Sequence, residues 1–154
     1  MNTGDLAWVL ISAALVWLMT PGLALFYGGL GEKRNLLHTM FVPVLIIGIA
    51  TLVWFFAGYS LAFGGSGDVI GNLNHILMFD VSFNRSSRGL TIPDGAFSLF
   101  QGMFPIITAA IITGSVIGRV RIKAMIVFMI LWLIVIYSPL AHMVWGGAFL
   151  AKLG

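Results

Sequence analysis

The sequence has no cysteine and very few charged residues. Its 154 residues include five acidic and eight basic ones, so 8% are charged, whereas a soluble domain carries about 25%. The lack of cysteine excludes disulfides, thiolate metal sites and cysteine nucleophiles. The net charge of +3 reflects a scarcity of acids rather than a basic patch, so nucleic-acid binding is not predicted. With 60% hydrophobic residues, the chain is not a water-soluble globule.

Long uncharged stretches dominate what is present. A helix needs about 20 apolar residues to cross the hydrocarbon core, and four stretches are long enough. They predict an all-α integral membrane protein, and we treat residues 1–154 as a single domain with an outer loop at 64–94. The four spans are expected at about residues 6–31, 36–63, 95–118 and 124–151.

Lys and Arg in the connecting loops predict the orientation of these spans, because cytoplasmic loops carry an excess of both. The first and third loops carry five basic residues and the opposite side carries three, which places both termini outside the cell membrane. The outer loop is expected to hold a short helix around Leu73 to Phe79. The two basic sets are Lys33, Arg34, Arg119, Arg121 and Lys123, against Arg85, Arg88 and Lys152.

Acidic residues are missing from all four predicted spans. Without carboxylates, the spans cannot form a carboxylate proton relay, a paired-carboxylate active site or a metal site built from His, Asp and Glu ligands. Ser138 has only His142 four residues away, which does not make a hydrolase triad. We therefore predict no enzyme, no metal site and no cofactor.

An aromatic stripe marks the third span. Phe97, Phe100, Phe104 and Thr108 follow one another at offsets of three, four and four, which places them on one helical face. Such a stripe either faces lipid and neighbouring helices or forms a hydrophobic constriction that closes a pore to hydrated ions. Gln101 is costly against lipid and favours a protein-facing position.

Two polar aromatic side chains lie near the outer end of the fourth span. Trp145 is either an interfacial anchor or part of a cation vestibule, where an indole face attracts a small desolvated cation. His142 is either a hydrogen-bonded structural residue or a proton relay. In the third span, Ala110, Gly114 and Gly118 form a small-residue ridge that allows another helix to approach closely.

Four short motifs follow one another along the chain. They are Thr20 to Gly29 followed by Lys33-Arg34-Asn35, Gly58 to Gly64, Phe100 to Phe104, and Ala141 to Gly147. Two phenylalanines lie within the third motif, and the fourth lies at the end of the last span. In this order the motifs resemble those of the ammonium transporter family (Amt/MEP/Rh), and the likeness runs across essentially the whole chain.

The resemblance implies the first part of an eleven-helix fold that assembles as a homotrimer with one pore in each subunit. In that family scheme, Trp145 and Phe104 bind ammonium at an outer site, and Phe100 and Phe104 belong to the gate. Ammonium releases its proton there and crosses as ammonia, because a bare cation is expensive in an apolar constriction. The resemblance also makes a PII-type regulatory protein a candidate partner at the cytoplasmic face.

Departures from the family pattern leave two interpretations open. The chain stops at Gly154, where the family continues into a fifth helix with a vestibule aspartate and the first pore histidine. Gly118 stands where an acidic residue is usual, and Pro105 replaces a small residue in the gate helix. The first interpretation is ammonium transport by part of a longer chain or by a shortened member. The alternative is a non-conducting fragment that acts as an interaction or sensory module.

Overall fold

The computed structural model describes residues 1–31, 35–116 and 118–153, and these residues form helices, turns and loops without a strand. Four segments are long and apolar enough to cross a membrane. Three are the helices α1 (Thr3–Leu30), α2 (Leu36–Phe63) and α3 (Asp94–Val116). The fourth, Ile122–Leu153, contains α4 (residues 122–145), a bend and the short helix α5 (Phe149–Leu153).

The observed helix bounds differ from the expected ones at several ends. α1 starts before residue 6 because the Asn2 side chain accepts a hydrogen bond from the backbone N–H of Gly4 at 2.9 Å. The stretch expected at 124–151 is not one continuous helix, since the chain bends at residues 146–148, where Gly147 has a φ of 82°. The helix expected around 73–79 is reduced to a 3₁₀ turn, Ile76–Met78. Lys33 and Arg34 lie outside the described residues.

The helices pack in a connected bundle. α1 packs on α2 and α3, and α2 packs on α3 and α4. Close packing of aliphatic side chains from α2, α3 and α4 forms the main core. Its buried members are Val42, Ile46, Ala50, Ile106, Ala109, Met125, Met129 and Leu133.

One end of the bundle holds the amino terminus, the loop 64–93 and the end of α4. The backbone N–H of Asn2 donates to the carbonyl of Thr91 at 2.9 Å. Lys152, in α5, reaches Asp68 of the loop at 3.3 Å. We call this end the outer end, following the expected orientation.

Small residues bring α1 and α3 together, as the predicted ridge requires. A methyl group at Gly114 would fall on the ring of Tyr27, and the Tyr27 hydroxyl donates to the carbonyl of Ile111 at 3.1 Å. Ala110 is fully buried. Gly118 does not extend the ridge, because α3 is described only to Val116 and Gly118 lies in a turn with a φ of 76°.

α2 and α4 each contain one π-helical turn, Trp54–Gly58 and Leu133–Tyr137, and these two turns contact each other. Such turns leave backbone groups that need other partners. In α4 the Ser138 hydroxyl donates to the carbonyl of Leu133 at 2.9 Å, next to Pro139, which has no N–H. In α2 the Trp54 indole N–H donates to the carbonyl of Ser98 at 3.1 Å, which joins α2 to α3.

The outer end of α2 is closed by hydrogen bonds from distant parts of the chain. Five successive carbonyls, from Ser60 to Gly64, lie at or beyond the last helical turn, where helical N–H donors run out. The Gly64 N–H donates to the first of them, the Ser60 carbonyl, at 2.7 Å. The Leu61 and Gly64 carbonyls accept from the loop N–H groups of Gly71 at 2.8 Å and Asn72 at 3.0 Å. The Ala62 carbonyl faces Nδ1 of His142 at 2.9 Å, and the Phe63 carbonyl accepts from the guanidinium of Arg88. We call these five carbonyls the α2 cap.

The contact between Gly114 and Tyr27 generates a stability prediction. Gly114→Ala is expected to lower the free energy of unfolding by about 1–3 kcal/mol, because the added methyl group forces the Tyr27 ring away from α3. Unfolding in mixed detergent micelles, followed by circular dichroism, measures the change. Gly48→Ala is the matched control, since nothing lies near a methyl group at that helical position. Equal stability of the two variants would contradict the packing argument.

Arg88 generates a second prediction. Its guanidinium donates to the Phe63 carbonyl and lies 4.9 Å from the Phe63 ring centroid and 5.1 Å from that of Phe97. Arg88→Met is expected to destabilise the end of α2 by about 1–3 kcal/mol, because the carbonyl loses its donor. Hydrogen exchange of residues 60–64 measures local opening. Arg85→Met is the control, as the exposed Arg85 bonds the Asp94 N–H through its backbone carbonyl; equal exchange in both variants would reject the prediction.

Candidate functional site

Three of the aromatic residues singled out in the sequence form a continuous row at the outer end. The ring centroids of Phe100 and Phe104 are 5.1 Å apart with an interplanar angle of 83°, so the edge of one ring meets the face of the other. The centroids of Phe104 and Trp145 are 6.4 Å apart at an angle of 48°. We call Phe100, Phe104 and Trp145 the aromatic row.

Helix geometry explains how the row is built. Phe100 and Phe104 are four residues apart in α3, and residues at that spacing lie above one another on one face. Trp145 is the last residue of α4, and the chain leaves the helix at Gly146. The row therefore joins two helices that are separated by more than 40 positions in the sequence.

The exposure of the row changes along its length. Trp145 is 54% exposed, whereas Phe100 and Phe104 are half-buried. Gln101 and Thr108, on the same side of α3, are also half-buried, while Ser98, Gly102, Pro105 and Ala109 are buried on the side that packs against the other helices. The row thus leads from an accessible indole to partly covered phenyl rings along an open face of α3.

Phe97 does not belong to this row, although its spacing predicted a stripe of four. Its ring packs on Phe63 with centroids 5.1 Å apart and lies under the Arg88 guanidinium. The spacing of three residues between Phe97 and Phe100 rotates Phe97 toward the α2 cap. The predicted stripe is therefore divided, and Phe97 packs against Phe63 and Arg88 at the outer end of α2.

His142 precedes Trp145 by about one turn in α4. It is fully buried, and its two ring nitrogens face the carbonyl oxygens of Ala62 and Gly67 at 2.9 and 2.8 Å. Of the two interpretations left open by the sequence, the hydrogen-bonded structural one describes these contacts. No pattern in the sequence identifies Ala62 and Gly67 as its partners, because both lie at least 75 positions away.

Asp94 is a buried carboxylate that the sequence placed in the outer loop. The structure makes it the first residue of α3, only 5% exposed, with both oxygens accepting from the Ser87 N–H at 2.9 and 3.1 Å. Asp5 similarly lies in the first turn of α1. Both acids lie just outside the predicted spans, at helix starts, where a negative charge is favoured by the helix dipole.

Two cavities lie away from the aromatic row. A polar one of about 230 Å³ lies beside the α2 cap, and its charged lining groups are Asp80, Arg88 and Asp94, together with His75. An apolar groove of about 540 Å³ lies between α1, α2 and α3 near Trp54 and Gly102. Neither contains a member of the row. In the described part of the chain, no group of three His, Cys, Asp or Glu residues is placed to hold a metal ion.

Comparison with known proteins gives a consistent family. A relative from Methanothermobacter thermautotrophicus is 44% identical over 156 residues, and the ammonium transporter of Bacillus subtilis is 42% identical over 154 residues. Each alignment covers all of this chain and 38% of the relative. The chain therefore spans well under half the length of the curated relatives that it matches.

A solved structure shows the same likeness. The crystal structure of Candida albicans Mep2 superposes with a TM-score of 0.88 at 35% sequence identity, covering 100% of this chain and 34% of Mep2. This match places the four helices in the fold of the amino-terminal part of Mep2/Amt transporters, as a multi-pass membrane protein. The model of the Ammonium Transporter Family matches residues 7–154, and the chain therefore belongs to that family.

Proposed function

We propose that this chain, or a longer protein that contains it, carries ammonium across the cell membrane. The supporting observation is the aromatic row, in which an accessible indole touches a half-buried phenyl ring, and that ring touches a second one. Family membership supports ammonium as the substrate.

Trp145 and Phe104 are proposed to receive the ion. An aromatic face attracts a small cation by about 0.5–2 kcal/mol, which is enough to concentrate ammonium without trapping it. Both rings lie at the outer end, and Trp145 is accessible to solvent. Potassium interacts with the same faces, so this step alone does not select ammonium.

Phe100 and Phe104 are proposed to select against charge. A bare cation in an apolar constriction loses its hydration without receiving compensating hydrogen bonds. Ammonium avoids that cost by releasing its proton before it passes the phenyl rings, after which neutral ammonia continues. Potassium has no proton to release and is held back. The released proton returns to water or crosses separately in an electrogenic transporter.

Orientation and assembly complete the proposal. We infer that both termini face outward, because Arg119, Arg121 and Lys123 lie at the end of the bundle opposite to Trp145, where the basic first loop is also expected. A homotrimer is proposed from the family resemblance. A PII-type regulatory protein is proposed at the cytoplasmic end on the same ground.

Replacing the indole tests the receiving site. Trp145→Leu is expected to raise the KM for methylammonium about 2- to 30-fold with a smaller change in maximal rate, in proportion to the lost cation–π attraction. Uptake of labelled methylammonium into transport-deficient cells measures both parameters. Trp8→Leu is the matched control, because Trp8 is also an exposed indole near the outer end but is not part of the row.

Two results would count against the proposed function. An unchanged KM in Trp145→Leu would remove the indole from the site. Absence of uptake, even when the chain is extended to the length of its relatives, would reject the assignment to transport.

Opening the constriction tests selectivity. Phe104→Ala is expected to let potassium leak through, because the smaller side chain leaves room for a hydrated ion. Potassium flux into proteoliposomes is compared with methylammonium uptake in the same preparation. Phe128→Ala, which truncates an exposed phenyl ring on α4, is expected to leave potassium excluded. Continued exclusion by Phe104→Ala would show that Phe104 does not form the barrier.

A further inference from the structure

The contacts of His142 demand two protons on one ring. Nδ1 lies 2.9 Å from the Ala62 carbonyl oxygen and Nε2 lies 2.8 Å from the Gly67 carbonyl oxygen. A neutral imidazole has one N–H and one bare nitrogen, whereas a carbonyl oxygen offers lone pairs only. In either neutral tautomer, one contact would therefore set two lone pairs against each other. Only the imidazolium donates to both carbonyls.

The surrounding backbone is built to hold this ring. A methyl group at Gly146 would fall on Nδ1 of His142 and on the carbonyl oxygen of Ala62, so the absence of a side chain there lets α4 and α2 approach. The ring itself is fully buried. Loss of either carbonyl contact would leave a buried polar group without a partner, which is unfavourable.

Charged groups of both signs lie on the elements that pack around His142. The loop contributes Asp68, next to Gly67, and Arg88, which bonds the carbonyl adjacent to Ala62. α5 contributes Lys152, which pairs with Asp68 at 3.3 Å, and α3 begins with the buried Asp94. Tyr59 is the titratable group on the last turn of α2. Two acidic and two basic residues therefore lie on these elements, so that their formal charges balance, whereas the direct partners of the ring are the two carbonyl oxygens.

The position of His142 connects these contacts to the aromatic row. Trp145 lies between His142 and Gly146, the two residues that meet the Ala62 carbonyl region. The Gly146 N–H also donates to the His142 carbonyl at 2.9 Å and so closes the last turn of α4. The ring and the turn that carries the indole are thus packed against each other at Gly146.

We propose that His142 is a proton-dependent clasp that positions Trp145. When both ring nitrogens carry protons, the ring ties the end of α2 and the loop at Gly67 to α4. When one proton is lost, one of the two contacts breaks, and the end of α4 with its indole is released. The role of the clasp in substrate recognition rests on the proposed function of Trp145, whereas the protonation of the ring does not.

Nitrogen NMR tests the clasp directly. The protein is labelled with ¹⁵N in histidine and in the tryptophan indole, placed in lipid nanodiscs and titrated with acid and base. His142 is expected to show a form with both ring nitrogens protonated, and the Trp145 indole signal is expected to shift with the same midpoint. A His142 ring that stays in one neutral tautomer wherever the protein is folded would overturn the proposal.

Variants make the coupling specific. His142→Asn and His142→Gln are each expected to abolish the pH response of the Trp145 indole, because neither amide side chain spans both carbonyls. His75→Asn is the control, since one ring nitrogen of His75 lies 3.2 Å from the Phe79 carbonyl in the outer loop. An indole titration that survives both His142 variants would overturn the proposal. Should both variants unfold, the ring signals of the unmodified protein still decide the question.

Transport assays distinguish failure of the clasp from failure of the proposed function. If the ring and indole titrate together but no ammonium uptake is found, the clasp stands and the proposed function fails. If uptake depends on Trp145 but the ring is neutral, the clasp alone is rejected.

Discussion

The outer end of this bundle is organised by the need of five backbone carbonyls for hydrogen-bond donors. A helix that ends near the edge of a hydrocarbon layer has no following turn to supply N–H groups and little water to replace them. At the end of α2, donors come from the loop backbone, from a guanidinium and from an imidazole. This requirement folds the loop 64–93 back onto the helix and draws α4 against it.

The aromatic residues are divided by that same requirement. Phe63 and Phe97 pack together beneath Arg88. Their ring faces stabilise the positive charge of the guanidinium, which also donates a hydrogen bond to the Phe63 carbonyl. Phe100 and Phe104 lie one and two turns further along α3, beyond reach of the cap, and their rings remain on the open side. The chemistry proposed for the row thus depends on a neighbouring cluster that takes no part in it.

Sequence reasoning recovers the features that depend on local composition. Four helices follow from uncharged stretches, since hydrophobicity over about 20 residues is decided within each segment. The contact between Phe100 and Phe104 follows from a spacing of four. Trp145 is a candidate cation site from its own residue type and place, and the family resemblance pairs it with Phe104. Gly147 gives a weak local signal for the bend that ends α4, because its positive φ suits glycine.

Features that depend on distant partners were not predictable in this way. The separation of Phe97 from its stripe depends on Phe63 and Arg88, and the contacts of His142 depend on carbonyls that every residue possesses. The burial of Asp94 depends on the path of the preceding loop, which offers the Ser87 N–H. Each of these cases is settled by tertiary contacts, for which composition and periodicity carry no signal.

The distance along the chain between α2 and its donors also bears on biosynthesis. During synthesis on the ribosome, the carbonyl of Ala62 is made 80 residues before its partner, the imidazole of His142. Until then this carbonyl lacks the imidazole partner that it has in the folded chain. The α2 cap is therefore completed only after the segment that contains His142 has been made.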